Sequence, residues 1–299
     1  MRVSLLTTGI MEFRGLAAAL QKLFPDHEFH VEPYAPGKPF HGFTSCTVQL
    51  LPPGNGSGKA GTMLRAALGT LVPPDTATPP SDLAYVVEDL ELVNKGNERI
   101  MIEHVRESAR RTISNIGSAM DPAFATRLMR ERVSFHLAVP MPESWFFGDF
   151  SALQTEVPSA YWPPNIAPNR DPEDFLTDDP AYDADDGSAC KGFASGRMPS
   201  WISARRKEHP KKYLEWLMRD HTLGDCSKYL EQHEGVRLLG KLNWPTVLAT
   251  STWFPYLRAL VRDLEAALGS SAVGIPTGGD EAPLTSMFNE RSNPILRNL

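Results

Sequence analysis

Apolar residues in this chain gather into short, unbroken runs: Val3-Ser4-Leu5-Leu6, Ala84-Tyr85-Val86-Val87 and Val133-Ser134-Phe135-His136-Leu137-Ala138-Val139. None of them alternates cleanly between apolar and polar positions, so both faces of each are expected to be buried, as in strands inside a parallel sheet. Phe29–Val31 and Thr47–Leu51 are shorter candidates of the same kind. Between the runs the spacing turns helical. Phe13, Leu16, Leu20, Leu23 and Phe24 share a stripe that Pro25-Asp26 ends, and helices are expected over Thr62–Leu71, Glu98–Ile116 and Asp121–Arg132. Strand, turn, helix, strand is the order of an α/β fold, with a mostly parallel sheet flanked by helices. This pattern occupies residues 1–150.

Residues 151–200 lose regular periodicity around Trp162-Pro163-Pro164 and read as an irregular insertion, a lid or a partner-binding surface. Helical spacing returns over 201–268, where Tyr213, Trp216 and Leu217 form a stripe and further helices are expected at Gly235–Leu242 and Phe254–Leu268. Residues 269–299 are rich in Gly, Pro and Ser and are expected to form a loosely held tail.

Three of the predicted strands are followed within a few residues by acid. Glu12 follows the first; Glu88, Asp89 and Glu91 end the central one; Glu143 follows the run that closes on Pro140. Ligands of open α/β sheets bind outside the carboxyl ends of the strands, so acids emerging there from adjacent strands converge on one edge. With side chains alternating at period two, Asp89 and Glu91 face one side and Glu88 the other. Paired carboxylates at such an edge suit a hard cation such as Mg²⁺, which takes one or two carboxylates, waters and a substrate phosphate. The structural alternative is a set of solvated strand ends and helix-starting acids, with Glu12 placed by the helix dipole.

Charge narrows the choice of partners. Thirty-six acidic against thirty basic residues leave a net charge of −6, which argues against a protein that simply coats a polyanion. The distribution is uneven: Asp171 to Asp186 holds eight acids and no Lys or Arg, whereas Lys191 to Arg219 holds eight basic residues against Glu208 and Glu215. Cys46, Cys190 and Cys226 are widely spaced and odd in number, which suggests neither a disulfide framework nor a zinc site. No run reaches the length of a membrane span and the first residues lack a signal-peptide pattern, so a cytoplasmic protein without a membrane partner is expected. Gly54-Asn55-Gly56-Ser57-Gly58-Lys59-Ala60 fails as a nucleotide loop, because Pro53 stands in place of the first glycine and Ala60 in place of the Ser or Thr that reaches Mg²⁺. Gly278-Gly279-Asp280-Glu281 lies in the tail without flanking hairpin strands and is discounted as a cyclase signature. His136, inside its apolar run, reads as a core histidine.

Taken together, several segments resemble the Toprim-type fold, in particular the RloG-like relatives of the overcoming-lysogenisation-defect nucleases of bacterial defence loci. Thr8-Gly9-Ile10-Met11-Glu12 stands where the Toprim pattern has its first glutamate motif, and Asp89-Leu90-Glu91 where it has Asp-x-Asp. Val139-Pro140-Met141-Pro142-Glu143-Ser144-Trp145 resembles the strand-proline-Glu-x-Trp segment of the RloG-like group. His209-Pro210-Lys211-Lys212-Tyr213, Ser227-Lys228-Tyr229 and Phe254-Pro255-Tyr256-Leu257 resemble its helical carboxy-terminal part. Two departures stand out: Thr8 replaces the first glutamate, and Glu91 replaces the second aspartate.

The resemblance implies a metal-dependent nuclease cutting DNA or RNA, the effector of an anti-phage defence system. Mg²⁺ or Mn²⁺ would be held by Glu12, Asp89 and Glu91, with Glu143 completing the catalytic set and Lys211, Lys212 and Lys228 meeting the nucleic acid. It equally implies an alternative, in which the fold is kept without catalysis and the chain serves as a regulatory subunit docking on an ABC-type ATPase. A hydrolase built on Ser or Cys with His lacks its motifs here.

Overall fold

The structure, a computed structural model, describes residues 1–44, 58–74, 77–158, 161–167, 169–184, 205–219, 229–250, 252–275 and 294–299. Thr47–Leu51, the Gly54–Ser57 part of the glycine-rich loop, Lys228, the Gly278–Glu281 stretch and all three cysteines lie outside the described residues. Four strands, β1 (Arg2–Thr7), β2 (Glu28–Val31), β3 (Leu83–Asp89) and β4 (Val133–Ala138), form one parallel sheet in the order β2-β1-β3-β4. Helices α1 (Ile10–Leu23), α2 (Lys59–Leu71), α3 (Glu98–Ser114) and α4 (Pro122–Arg132) alternate with the strands, an arrangement consistent with a Toprim-like fold.

Every residue of β4 and all but Asp89 of β3 are buried, as the lack of alternation predicts. The two faces nevertheless feed different cores. Leu83, Tyr85 and Val87 join α1, while Ala84 and Val86 join α2, α3 and α4, together with Phe135 and Leu137 of β4. The Leu83 face also receives the carboxy-terminal helices: α7 (Pro210–Leu217), α8 (Val236–Lys241), α9 (Trp244–Val247) and α10 (Pro255–Leu268), after the short α5 (Phe150–Gln154) and α6 (Pro180–Ala184). Residues 1–150 and 201–268 therefore share a hydrophobic core.

The structure adds to two expectations. The irregular insertion is packed where it is described: Phe175 and Tyr182 are buried against Tyr213, with ring centroids 5.9 and 5.1 Å away. These aromatics carry the packing that secondary structure lacks, which periodicity could not reveal. The tail is also not wholly free. Leu296 and Leu299 are buried, Arg297 N donates to the Val133 carbonyl at 2.8 Å, and the Asn298 amide both accepts from Phe135 N at 3.1 Å and donates to the Phe135 carbonyl at 2.7 Å. β4 is an edge strand, and the chain end covers that edge.

His136 is the satisfied core histidine expected, stacked on Tyr85 at 5.6 Å and bonded through Nε2 to Asp263 of α10 at 3.0 Å. No helix among the described residues is long and apolar enough to cross a membrane.

Candidate active site

The carboxyl ends of β1, β3 and β4 lie side by side, and a cleft of about 480 Å³ opens beside them. Its lining brings together all four acids picked from sequence, Glu12, Asp89, Glu91 and Glu143, with Lys211 and Lys212. It adds His209 and Glu231, which sequence reasoning gave no role.

Each acid arrives by its own route. Glu12 sits in the first turn of α1, where the dipole favours a carboxylate, yet it is only 2% exposed. Its carboxylate folds back so closely over Gly9 that a Cβ there would force the carboxylate to shift. Asp89 ends β3 on the α1 side, as alternation predicts, and Glu88 faces away. Glu91 reaches the cleft differently from the period-two expectation. The strand stops at Asp89, and Glu91 adopts φ 64°, ψ 144°, a region that disfavours any side chain, with its N–H bonded to the Pro140 carbonyl at 2.8 Å. Such backbone strain, of order 1–3 kcal/mol, concentrates at functional sites. Glu143 opens the 3₁₀ turn Pro142–Phe147 after β4 and accepts a 3.0 Å hydrogen bond from the buried Tyr229 hydroxyl.

Crowding these acids away from water changes their protonation. Burial raises Glu12, opposed by its contact with Asp89. Asp89 is raised strongly, first by burial and then by the neighbouring charge of Glu12. Each carboxyl of the pair therefore keeps its proton to higher pH than an exposed carboxylate would. Glu91 is raised by burial, and Lys211 pulls it back down.

Thr8 lines the cleft, and its side chain is a minor influence on Glu88, whose Oε1 accepts from Phe43 N at 3.0 Å and from Thr44 N and Oγ1 at 3.3 and 2.7 Å. Burial still raises Glu88 to about 8. Glu88 therefore holds the loop at residues 42–44 instead of entering the cleft.

Among the described residues, no set of three or more His, Cys, Asp and Glu side chains stands ready-made for a metal ion. The smaller requirement of Mg²⁺ is better matched. Glu12 Oε1 and Asp89 Oδ1 are both buried without a hydrogen-bond partner among those residues. A divalent cation would satisfy both oxygens and remove the repulsion between them.

The basic side is less free than the run of charges suggests. Lys211 is ion-paired with Glu231, Lys212 with Glu215 at 2.7 Å, Lys207 with Asp183 at 2.9 Å and Arg205 with Glu208 at 2.6 Å. Part of the acidic run thus serves to neutralise the basic one. His209 could have been singled out from sequence as a histidine directly before a Pro-led, Lys-rich helix start; Tyr229 offers no such signal.

Compared with known proteins, the chain matches no family model, no curated protein and no solved structure.

Proposed function

We propose that this chain is a divalent-cation-dependent nuclease of the Toprim type, hydrolysing phosphodiesters of DNA or RNA in the cleft. The observation that carries the reading is the convergence of Glu12, Asp89, Glu91 and Glu143, from three separate segments, on one cleft at the carboxyl edge of the sheet. Glu12 and Asp89 are the natural holders of Mg²⁺ or Mn²⁺, and Glu91 extends the ligand set. Such a cation would lower the pKa of a bound water and neutralise charge on the phosphate.

The protein's own groups supply the rest. Glu91, kept more basic than an ordinary glutamate by burial, suits the role of proton acceptor from the attacking water. Glu143, fixed by Tyr229, orients that water or a ligand to the cation. Lys211, close enough to influence Glu12 and Glu91, offsets the negative charge of the transition state. The resemblance to RloG-like proteins supports extending this proposal to a role in anti-phage defence.

Thr8 supports a second reading. A threonine where the resemblance has its first glutamate leaves that acid without a successor, as in a chain that keeps the fold as a regulatory subunit for an ABC-type ATPase. One assay separates the two: plasmid DNA and total tRNA incubated with the full chain and Mg²⁺, Mn²⁺ or EDTA, beside Glu12→Ala and Asp89→Ala. Cutting that needs the metal and is lost in both variants is the expected result. A wild-type chain inert with either metal, alone and with its ATPase partner, would overturn the nuclease reading.

A further inference from the structure

The same cleft is bounded by the beginning of α7, an eight-residue helix that starts without a side-chain cap. Uncapped helix starts present main-chain N–H groups and a partial positive charge, favourable for an anion. The residue at the cap position, His209, is only 4% exposed, lines the cleft, and has a buried Nδ1 with no hydrogen-bond partner among the described residues. Buried polar atoms ordinarily have partners, as His136 has Asp263 in this same protein. An unsatisfied imidazole nitrogen at a cleft wall therefore points to a ligand. The ring is uncharged: burial, then Lys212 and Lys211, push it down to about 3. It serves as a hydrogen-bonding group while the lysines provide charge.

One further observation says what kind of ligand fits. Lys211 already binds an anion within the cleft, the Glu231 carboxylate, which opens the turn Glu231–Gly235. A tetrahedral phosphate has enough acceptor oxygens to engage a helix start, an imidazole and an ammonium at once, which a single planar carboxylate does less well.

We infer that the start of α7 is a phosphate subsite, in which His209 hydrogen-bonds a phosphoryl oxygen and Lys211 exchanges Glu231 for the phosphate's charge. The inference rests on the nuclease reading for its identification of that group as a backbone phosphodiester. His209 would then grip the strand in the same cleft as the cation-holding acids.

The test uses the full chain labelled with ¹⁵N-histidine, in EDTA, titrated separately with inorganic phosphate and with the dinucleotide pTpT. The His209 ring signals, assigned by their loss in His209→Gln, are expected to shift with both. Dinucleotide affinity should fall about tenfold or more in His209→Gln and in Lys211→Gln, the loss of a hydrogen bond to a charged group. Lys241→Gln, a surface cation paired with Glu156, should leave it unchanged. Should His209→Gln fail to fold, Lys211→Gln and the wild-type ring signals decide the matter.

Ring signals that stay still at saturating ligand, or equal affinity in the folded variants, would overturn the subsite. A response to phosphate but not to the dinucleotide would overturn the phosphodiester assignment. Phosphate bound at His209 in a chain that never cuts nucleic acid would refute the nuclease reading alone. Metal-dependent cutting with a silent His209 would refute the subsite alone.

Discussion

Two groups of acids are buried in this protein, and they are treated in opposite ways. At the start of α10, Glu173 accepts hydrogen bonds from Tyr256 N at 2.8 Å and Leu257 N at 2.9 Å, while Asp171 accepts from Phe254 N at 2.9 Å. Main-chain donors answer both oxygens of Glu173 and Oδ1 of Asp171. In the cleft, Glu12 and Asp89 each keep a buried oxygen with no such answer among the described residues. Burial raises the acids of both groups, so burial alone does not distinguish a structural carboxylate from a chemical one. What distinguishes them is the hydrogen-bond ledger: acids whose acceptors are filled hold the fold, and acids left wanting await a ligand.

Glu88 lies between these cases and gives the largest predicted effect. Its Oε1 has several donors while its Oε2 is buried without a partner among the described residues. With a folded pKa near 8 against an ordinary 4.5, the native state keeps a proton that the unfolded chain has lost. The stability contributed is complete below about pH 4.5 and drains away as pH rises to about 8, on the order of 3–4 kcal/mol. Urea unfolding at pH 5 and pH 8 should show this slope, and Glu88→Gln should reduce it. A wild type equally stable at both values would remove Glu88 from the intermediate position.

Next in size, Glu173→Ala strips the start of α10 of its acceptors and should cost about 3 kcal/mol in unfolding experiments. A loss below about 1 kcal/mol would mean that those donors are satisfied by water and that the contrast between the two acidic groups is weaker than drawn. Asp89→Asn should do the reverse. Relief from its like-charged neighbours raises stability by about 1 kcal/mol, while cutting falls about 100-fold or more on the nuclease reading. An Asp89→Asn protein that is less stable than wild type would place Asp89 with the structural acids. The smallest effect belongs to Tyr229→Phe, which removes one hydrogen bond from Glu143 and should slow cutting by about three- to tenfold with the fold intact. A rate unchanged by that substitution would show that Glu143 is positioned without it.

Much of this organisation is legible in the residues. Unbroken apolar runs gave the buried parallel strands, helical stripes gave α1 to α4 to within a few residues, and acids placed after three runs marked the edge where the cleft lies. Two things were hidden. The aromatic packing of Phe175 and Tyr182 depends on contact with Tyr213, some 30 residues away, and no local period encodes it. Likewise a row of lysines and arginines looks the same in sequence whether its charges are free or, as with Lys207 and Asp183, already paired.

The sequence by itself determined the alternation of strand and helix and the positions of Glu12, Asp89, Glu91 and Glu143 along the chain, because local periodicity and strand termination are properties of neighbouring residues. Only the tertiary structure decided that these four share a cleft, that Glu91 enters it through a positive φ, that Glu88 turns to Phe43 and Thr44, and that His209 lines the same cleft with a nitrogen unsatisfied among the described residues. Those outcomes depend on which strands become neighbours and on which donors reach which oxygens, and both are fixed by packing between segments far apart in the chain.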